Sequence, residues 1–262
     1  MSLGKILSDY AYVFILIMLR YNGLFLLTPI LSSGLIVNRL KIAFSFFLAL
    51  ITVPIVTELY TVEVPGNLLL ILADILKELS IGLIMGFIVL LIFSAIQLAG
   101  QYIDMRMAFR LANAVNPLSN SSTPVVGQFQ NILATLLFLS INGHHILINN
   151  IHRSFEIIPP GEAVYINELF QMIFRASGDM FLLSFKIALP IVGTIFLVDV
   201  ILGFLARAVP QMNLFIIGLP VKILVGFVFL ILTVGIMVNF YNNIFNELFR
   251  DLEKLLKLFT GG

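Results

Sequence analysis

"LSIGLIMGFIVLLIFSAIQL", from Leu79 to Leu98, is an unbroken run without a charged residue. It meets the roughly 17 to 25 residues that a helix needs to cross a hydrocarbon core. The rest of the chain is of the same kind. Of its 262 residues 60% are hydrophobic and 11% are charged, and the mean hydropathy is +1.08. A soluble domain carries about 25% charge to cover its core, and this chain cannot make that surface. Its class is an all-α integral membrane protein of helical hairpins.

Working outward from Leu79–Leu98, about six apolar segments have spanning length. The others run from Tyr12 to Leu31, Leu40 to Val56, Val125 to Ile141, Phe181 to Leu205 and Phe215 to Phe240. The connections alternate in charge. Arg39 and Lys41 follow the first segment, and Glu58 and Glu63 the second. Arg106 and Arg110 stand against Asp104 after the third. Glu156, Glu162, Glu168 and Asp179 outweigh Arg153 and Arg175 after the fourth, and Arg207 stands alone after the fifth. By the positive-inside rule the odd loops face the cytoplasm and both termini face outward.

Several function classes are excluded at this stage. Net charge is +1, with no basic bias that would suggest nucleic acid, and cysteine is absent, so there is no disulfide framework or thiolate metal site. No cleavable signal peptide is expected, because the first apolar run holds Arg20 and Asn22 and lacks a small-residue cleavage site. No phosphate loop, nucleophile elbow or paired-carboxylate motif appears, and nothing calls for a cofactor. His144, His145 and His152 lack a carboxylate at ligand spacing and read as a polar helix-end cluster.

Charges inside apolar segments are the first candidates for function. Arg20, Lys186, Asp199 and Lys222 lie in or at the edges of spans. A charge at the bilayer centre costs about 2.5 kcal/mol or more and needs a partner, a wet cavity or an exit to the interface. Lys186 and Asp199 share a helix but stand about 20 Å apart, too far to pair. Arg20 and Lys222 are both open as partners for Asp199. Lys77 and Glu78, near the expected start of the third span, read as snorkelling residues. The charges serve either an ion or proton relay, or assembly with neighbouring subunits.

Small residues and helix breakers come next. Gly82 and Gly86 form a GxxxG pair that lets helix backbones approach closely. Pro190 with Gly193, and Gly218 with Pro220, are expected to bend the last two spans. Two amphipathic stretches stand outside the spans. In "YINELFQMIFRASG" Ile166, Leu169, Phe170, Ile173 and Phe174 share a face, and Ile244, Leu248, Leu252, Leu255 and Phe259 do so in the tail. Each is either a helix lying at the membrane surface or a packing face for a partner.

The polar centre of the chain, "RLANAVNPLSNSSTP" from Arg110 to Pro124, cannot run on into lipid as a helix. Pro117 and Pro124 remove donors, and Asn113, Asn116, Ser119, Asn120, Ser121 and Ser122 compete for backbone hydrogen bonds. Such backbone is tolerated at membrane depth only inside protein or along a wet cavity. The stretch is either an exposed loop or an enclosed one.

Three stretches resemble a known family. "VVGQFQNILATLLFLSINGHHILI" (Val125–Ile148) is similar to the fourth apolar segment of the FliR family. "QMNLFIIGLPVKILVG" (Gln211–Gly226) resembles that family's Asn-x-Phe-x-x-Gly-x-Pro-x-Lys signature, and "ELSIGLIMGF" with "AIQLAGQYIDM" looks like its third segment. The resemblance covers nearly the whole chain. It implies a core subunit of the flagellar type III export gate, with FliP and FliQ as partners in a shallow helical ring around a conduit, FlhB at the entrance, and exported flagellar proteins in transit. Residues 1–180 would be FliP-like and 181–262 a FliQ-like hairpin, in a bacterial inner-membrane assembly that also meets lipid. It further implies a pore plug formed here by Arg110, Leu111, Ala112, Asn113, Ala114, Val115, Asn116, Pro117, Leu118, Ser119, Asn120, Ser121 and Ser122. Asn116-Pro117 takes the place of the family's Asp/Asn-Pro step, while Leu111 stands where an aromatic is expected and Arg110 adds a charge. The implied mechanism is gating without chemistry. An injectisome component of the SctT type is the nearer alternative. A secondary transporter is the more distant one, and the chain lacks the inverted repeat expected of it.

Overall fold

The computed structural model of the chain describes residues 3–29, 37–109, 124–211 and 213–259. The elements in order are α1 (Leu3–Leu27), α2 (Asn38–Leu59), α3 (Leu68–Arg106), α4 (Val125–Ser140), α5 (Gly143–Ile157), α6 (Asn167–Ala208) and α7 (Leu214–Leu258). Among the described residues five helices are long and apolar enough to cross a membrane, and a bent pair, α4 with α5, makes up to six. The all-α membrane class read from the sequence is the observed one.

Several elements differ from the expectation in extent. The third segment extends past both ends of its charge-free run, so that α3 has 39 residues. The two amphipathic stretches are not separate helices: one opens the 42-residue α6 and the other closes the 45-residue α7. Helical hydrogen bonding continues while hydropathy changes, because the backbone is indifferent to which side chains face water. α2 runs through Pro54, α6 through Pro190 and α7 through Pro220. Each proline removes one helical bond without ending its helix. The fourth segment stops at Ser140, and Asn142 (φ 57°) takes the left-handed backbone before α5 begins. Asparagine tolerates that region better than most residues.

The chain divides into two compact units. Unit 1 is Met1–Leu91, Asn142–Ala176 and Phe245–Gly262, and unit 2 is Ile92–Ile141 with Ser177–Ile244. In unit 1, Leu16, Ile17, Tyr21, Leu24 and Phe25 of α1 are buried, as are Ile81, Met85 and Val89 of α3 and Phe155 of α5. The last turns of α7 are also core: Phe245, Leu248, Leu252, Leu255 and the following Phe259 are all at most 1% exposed. The Val164 N–H donates to the Phe259 carbonyl (3.1 Å). The amphipathic tail is thus covered by its own chain, which removes both the membrane-surface and the partner-face readings of that stripe. The Ile166–Phe174 stripe keeps only Leu169 buried, with Phe170 and Phe174 exposed.

Unit 2 has Phe93 and Phe138 edge to face, 5.7 Å apart, and Tyr102 stacked on Phe185 at 4.9 Å. Its long helices are barely covered. Only 22% of the most apolar stretch of α6 and of α7 is buried, against 56% for α3.

Candidate functional site

Asp74, Glu78, Gly82 and Gly86 recur every four residues along α3 and therefore share one face. That face meets α1. A Cβ on Gly82 would stand 2.1 Å from the Arg20 carbonyl oxygen, and one on Gly86 2.9 Å from that of Leu24. No side chain fits there. The GxxxG pair therefore brings the two backbones together, as its spacing suggests.

Close approach places Arg20 beside Glu78, both fully buried. Arg20 Nε donates to Glu78 Oε2 at 2.6 Å, and Nη2 to Oε1 at 3.0 Å. This is the fork geometry that guanidinium and carboxylate share. Nη1 donates to Ser154 Oγ on α5 at 2.9 Å, and Nη2 also reaches the Ile158 carbonyl at 3.3 Å. The Phe155 ring lies 4.1 Å from the guanidinium carbon, a cation–π contact. Glu78 Oε1 accepts the Gly161 N–H at 2.9 Å. A buried pair offsets its desolvation only with such additional bonds, and this one has them on both partners.

A second ring of polar contacts fixes the Pro159–Gly161 turn. Gly161 (φ 84°) is left-handed, and a Cβ there would meet Asp74 Cγ at 3.1 Å. Lys77 Nζ donates to the Gly161 carbonyl at 2.8 Å and lies 3.4 Å from Asp74 Oδ1. The Tyr12 hydroxyl donates to Asp74 Oδ2 at 2.7 Å. The Tyr165 and Ser80 hydroxyls share a short hydrogen bond. Burial, with the Glu78 charge adding to it, raises the Tyr165 pKa above its ordinary value, against the opposing pull of Ser80 and Arg20.

The charges read as candidates are thus partly re-paired. Arg20 belongs to Glu78, and Asp199 to Lys222. Glu78 does not snorkel, because α3 begins at Leu68 and places it about three turns inside the helix. The recurrence of Asp74, Glu78, Gly82 and Gly86 was the available signal. In unit 2, Asp199 of α6 and Lys222 of α7 form an ion pair with side chains 31% and 24% exposed. Lys186 lies exposed on α6, and among the described residues no carboxylate pairs with it. His144 and His145 sit together at the start of α5, ring centroids 4.1 Å apart.

A third centre borders the polar middle of the chain. Asp104, 1% exposed near the end of α3, accepts the Val126 N–H at 3.0 and 3.1 Å and the Gly127 N–H at 3.1 Å. These are first-turn donors of α4, which have no partner within their own helix. A Cβ on Gly100 would stand 2.3 Å from Gly127 Cα, so the backbones touch here too. Asp104 and the Gly100–Gly127 contact, which sequence reading did not single out, hold the end of α3 against the start of α4. The residues implied as a plug, Arg110 to Ser122, lie outside the described residues.

Long apolar helices joined by internal charge pairs define a helical membrane protein. Residues 11–248 match the bacterial export proteins, family 1. The flagellar biosynthetic protein FliR of Bacillus subtilis (strain 168) is 34% identical over 95% of this chain and 96% of its own length. That of Escherichia coli (strain K12) is 29% identical over 91% and 90%, and that of Aquifex aeolicus (strain VF5) 28% over 89% and 89%. The chain belongs to bacterial export protein family 1, and the resemblance read from its motifs extends over nearly its full length.

Proposed function

We propose that this chain is a core subunit of the flagellar type III protein export gate, a non-enzymatic part that helps form and plug the conduit for unfolded flagellar proteins. The observation that carries the reading is end-to-end similarity to proteins named flagellar biosynthetic protein FliR. Those names also favour the flagellar system over the injectisome. FliP and FliQ are the partners in this reading, with FlhB at the entrance and the inner membrane at the flagellar basal body as the location. Residues 1–180 correspond to a FliP-like part and 181–262 to a FliQ-like hairpin.

The sparse cover of α6 and α7 supports a place in a larger assembly, since apolar helices that lack cover in the chain need lipid or protein around them. The Asp104 clamp supports the plug. It holds the end of α3 against the start of α4, the two elements that precede and follow Arg110–Ser122 in sequence. Closure would keep ions from leaking when no substrate is engaged.

Deletion of Leu111–Ser122 tests this. The FliP- and FliQ-containing complex should still purify, while membrane conductance to small ions rises. Wild-type conductance in such a deletion would remove the plug assignment. Failure of the intact chain to co-purify with FliP and FliQ would remove the gate reading itself.

A further inference from the structure

In unit 2 the buried residues of α6 are Ser184, Ile187, Ala188, Ile191 and Ile195, which share one face of the helix. Half a turn round the helix runs an outward line. Asp179, Lys186 and Gly193 stand seven residues apart, nearly two full turns each, and so lie along it. Asp179 and Lys186 are exposed, as are Leu182 and Leu189 beside them (54% and 65%). Among the described residues neither Asp179 nor Lys186 belongs to an ion pair.

Two independent features of this line point to the same occupant. The first is Gly193. Glycine weakens a helix interior relative to alanine, and elsewhere in this chain the fold uses the missing Cβ. A Cβ would stand 2.1 Å from the Arg20 carbonyl oxygen at Gly82, 2.3 Å from Gly127 Cα at Gly100 and 2.5 Å from Met107 Cε at Gly226. At Gly193 it would meet nothing within 4 Å. The chain's own packing gains nothing from this glycine. Its notch suits a backbone approaching from outside, as small residues do between membrane helices. Lipid tails need no such notch.

The second feature is Lys186. An ammonium in an apolar span needs a counter-charge or an exit to the interface. Side chains on a helix lean toward its N-terminus. In that direction Asp179 stands on the same line, about 10 Å away. A lipid phosphate drawn to Lys186 from that end would also meet the Asp179 carboxylate. A carboxylate on a helix lying across Gly193 would reach Lys186 from the other side and stay clear of Asp179.

We propose that the outward line of α6 at Lys186 and Gly193 is the docking surface for a membrane-spanning helix of another subunit. That helix packs its backbone into the Gly193 notch and sets an aspartate or glutamate against Lys186. The surface rests on α6 alone and not on the export-gate reading.

The test places the photoreactive residue benzoylphenylalanine at Leu189, between Lys186 and Gly193, in the full chain in native membranes. Irradiation should give one protein adduct, with an Asp or Glu of the partner within about one turn of the linked residue on peptide mapping. Adduct yield should fall about tenfold or more in Lys186→Leu, as when one partner of a desolvated charge pair is truncated. Gly193→Leu should lower it as much, and Lys186→Arg should keep it. In detergent the isolated Gly193→Leu chain should melt as wild type does, because its own packing leaves that space open. Adducts to lipid alone, or a protein adduct that survives Lys186→Leu or Gly193→Leu, would overturn the proposal in favour of a lipid-facing line. A lowered melt of isolated Gly193→Leu would overturn it too, by placing the notch inside this chain's own fold. A Lys186-dependent adduct to a protein other than FliP or FliQ would count against the export-gate reading and leave the docking surface standing.

Discussion

Two ion pairs of similar chemistry sit in opposite surroundings. Arg20–Glu78 in unit 1 is wholly buried, bidentate and bonded to two further elements. Asp199–Lys222 in unit 2 is a single contact with both side chains roughly a quarter to a third exposed. The first is complete within one chain. The second keeps its open sides on a pair of helices whose apolar surface is mostly uncovered. The difference shows that a charge in an apolar segment is not by itself a functional signal. What matters is whether the fold has already satisfied it.

The strongest way to break this contrast is Glu78→Ala. It leaves a buried guanidinium unpaired, and removing one partner of such a pair costs about 3–5 kcal/mol. That is a large share of a typical total stability of about 5–15 kcal/mol. Thermal unfolding in detergent should show it, and the double variant Arg20→Met/Glu78→Leu should recover most of the loss. If Glu78→Ala unfolds with wild-type stability, the pair is not the centre of unit 1. Gly82→Leu comes next. Its side chain cannot fit against the Arg20 carbonyl, so α1 and α3 must separate, at about 1–3 kcal/mol for overpacking. The check is the same melt, together with hydrogen exchange along both helices.

Smaller effects sharpen the comparison. Asp104→Ala removes the acceptor at the start of α4 and should cost about 0.5–2 kcal/mol, in the range of lost helix caps. Amide exchange should speed up at Val126 and Gly127 and stay unchanged in unit 1. Asp199→Asn should cost the isolated chain at most about 1 kcal/mol, as partly exposed pairs do. Its effect separates two roles. A structural pair predicts weaker complex assembly, whereas a proton relay predicts a normal complex that fails to export. Purifying the complex from the mutant distinguishes them. Equal destabilisation by Asp199→Asn and Glu78→Ala would erase the distinction between the two pairs.

The spans were legible because hydropathy acts residue by residue. Leu79–Leu98 identifies a membrane helix whatever it packs against. The close approach at Gly82 and Gly86 was legible for the same reason, since lack of a Cβ is a property of each glycine. The charge partners were not. On sequence Arg20 and Lys222 are both open to Asp199, and Glu78 reads as a snorkelling residue near the start of its span. The tail stripe of Leu248, Leu252 and Leu255 was visible as a stripe, but the surface that covers it belongs to distant parts of the chain. Asp104 gave no signal, because its partners are backbone N–H groups, which every sequence has.

By itself, then, the sequence determined that this is a helical membrane protein, which stretches are apolar enough to span and which family's motifs it carries. The tertiary structure decided how far each helix runs, that Arg20 belongs to Glu78 and Asp199 to Lys222, and that the last helix turns complete unit 1. Burial of an apolar side chain is favourable against almost any apolar neighbour, so it can be read one residue at a time. An ion pair or a helix cap depends on two groups meeting at hydrogen-bonding distance, and only the folded chain sets that distance.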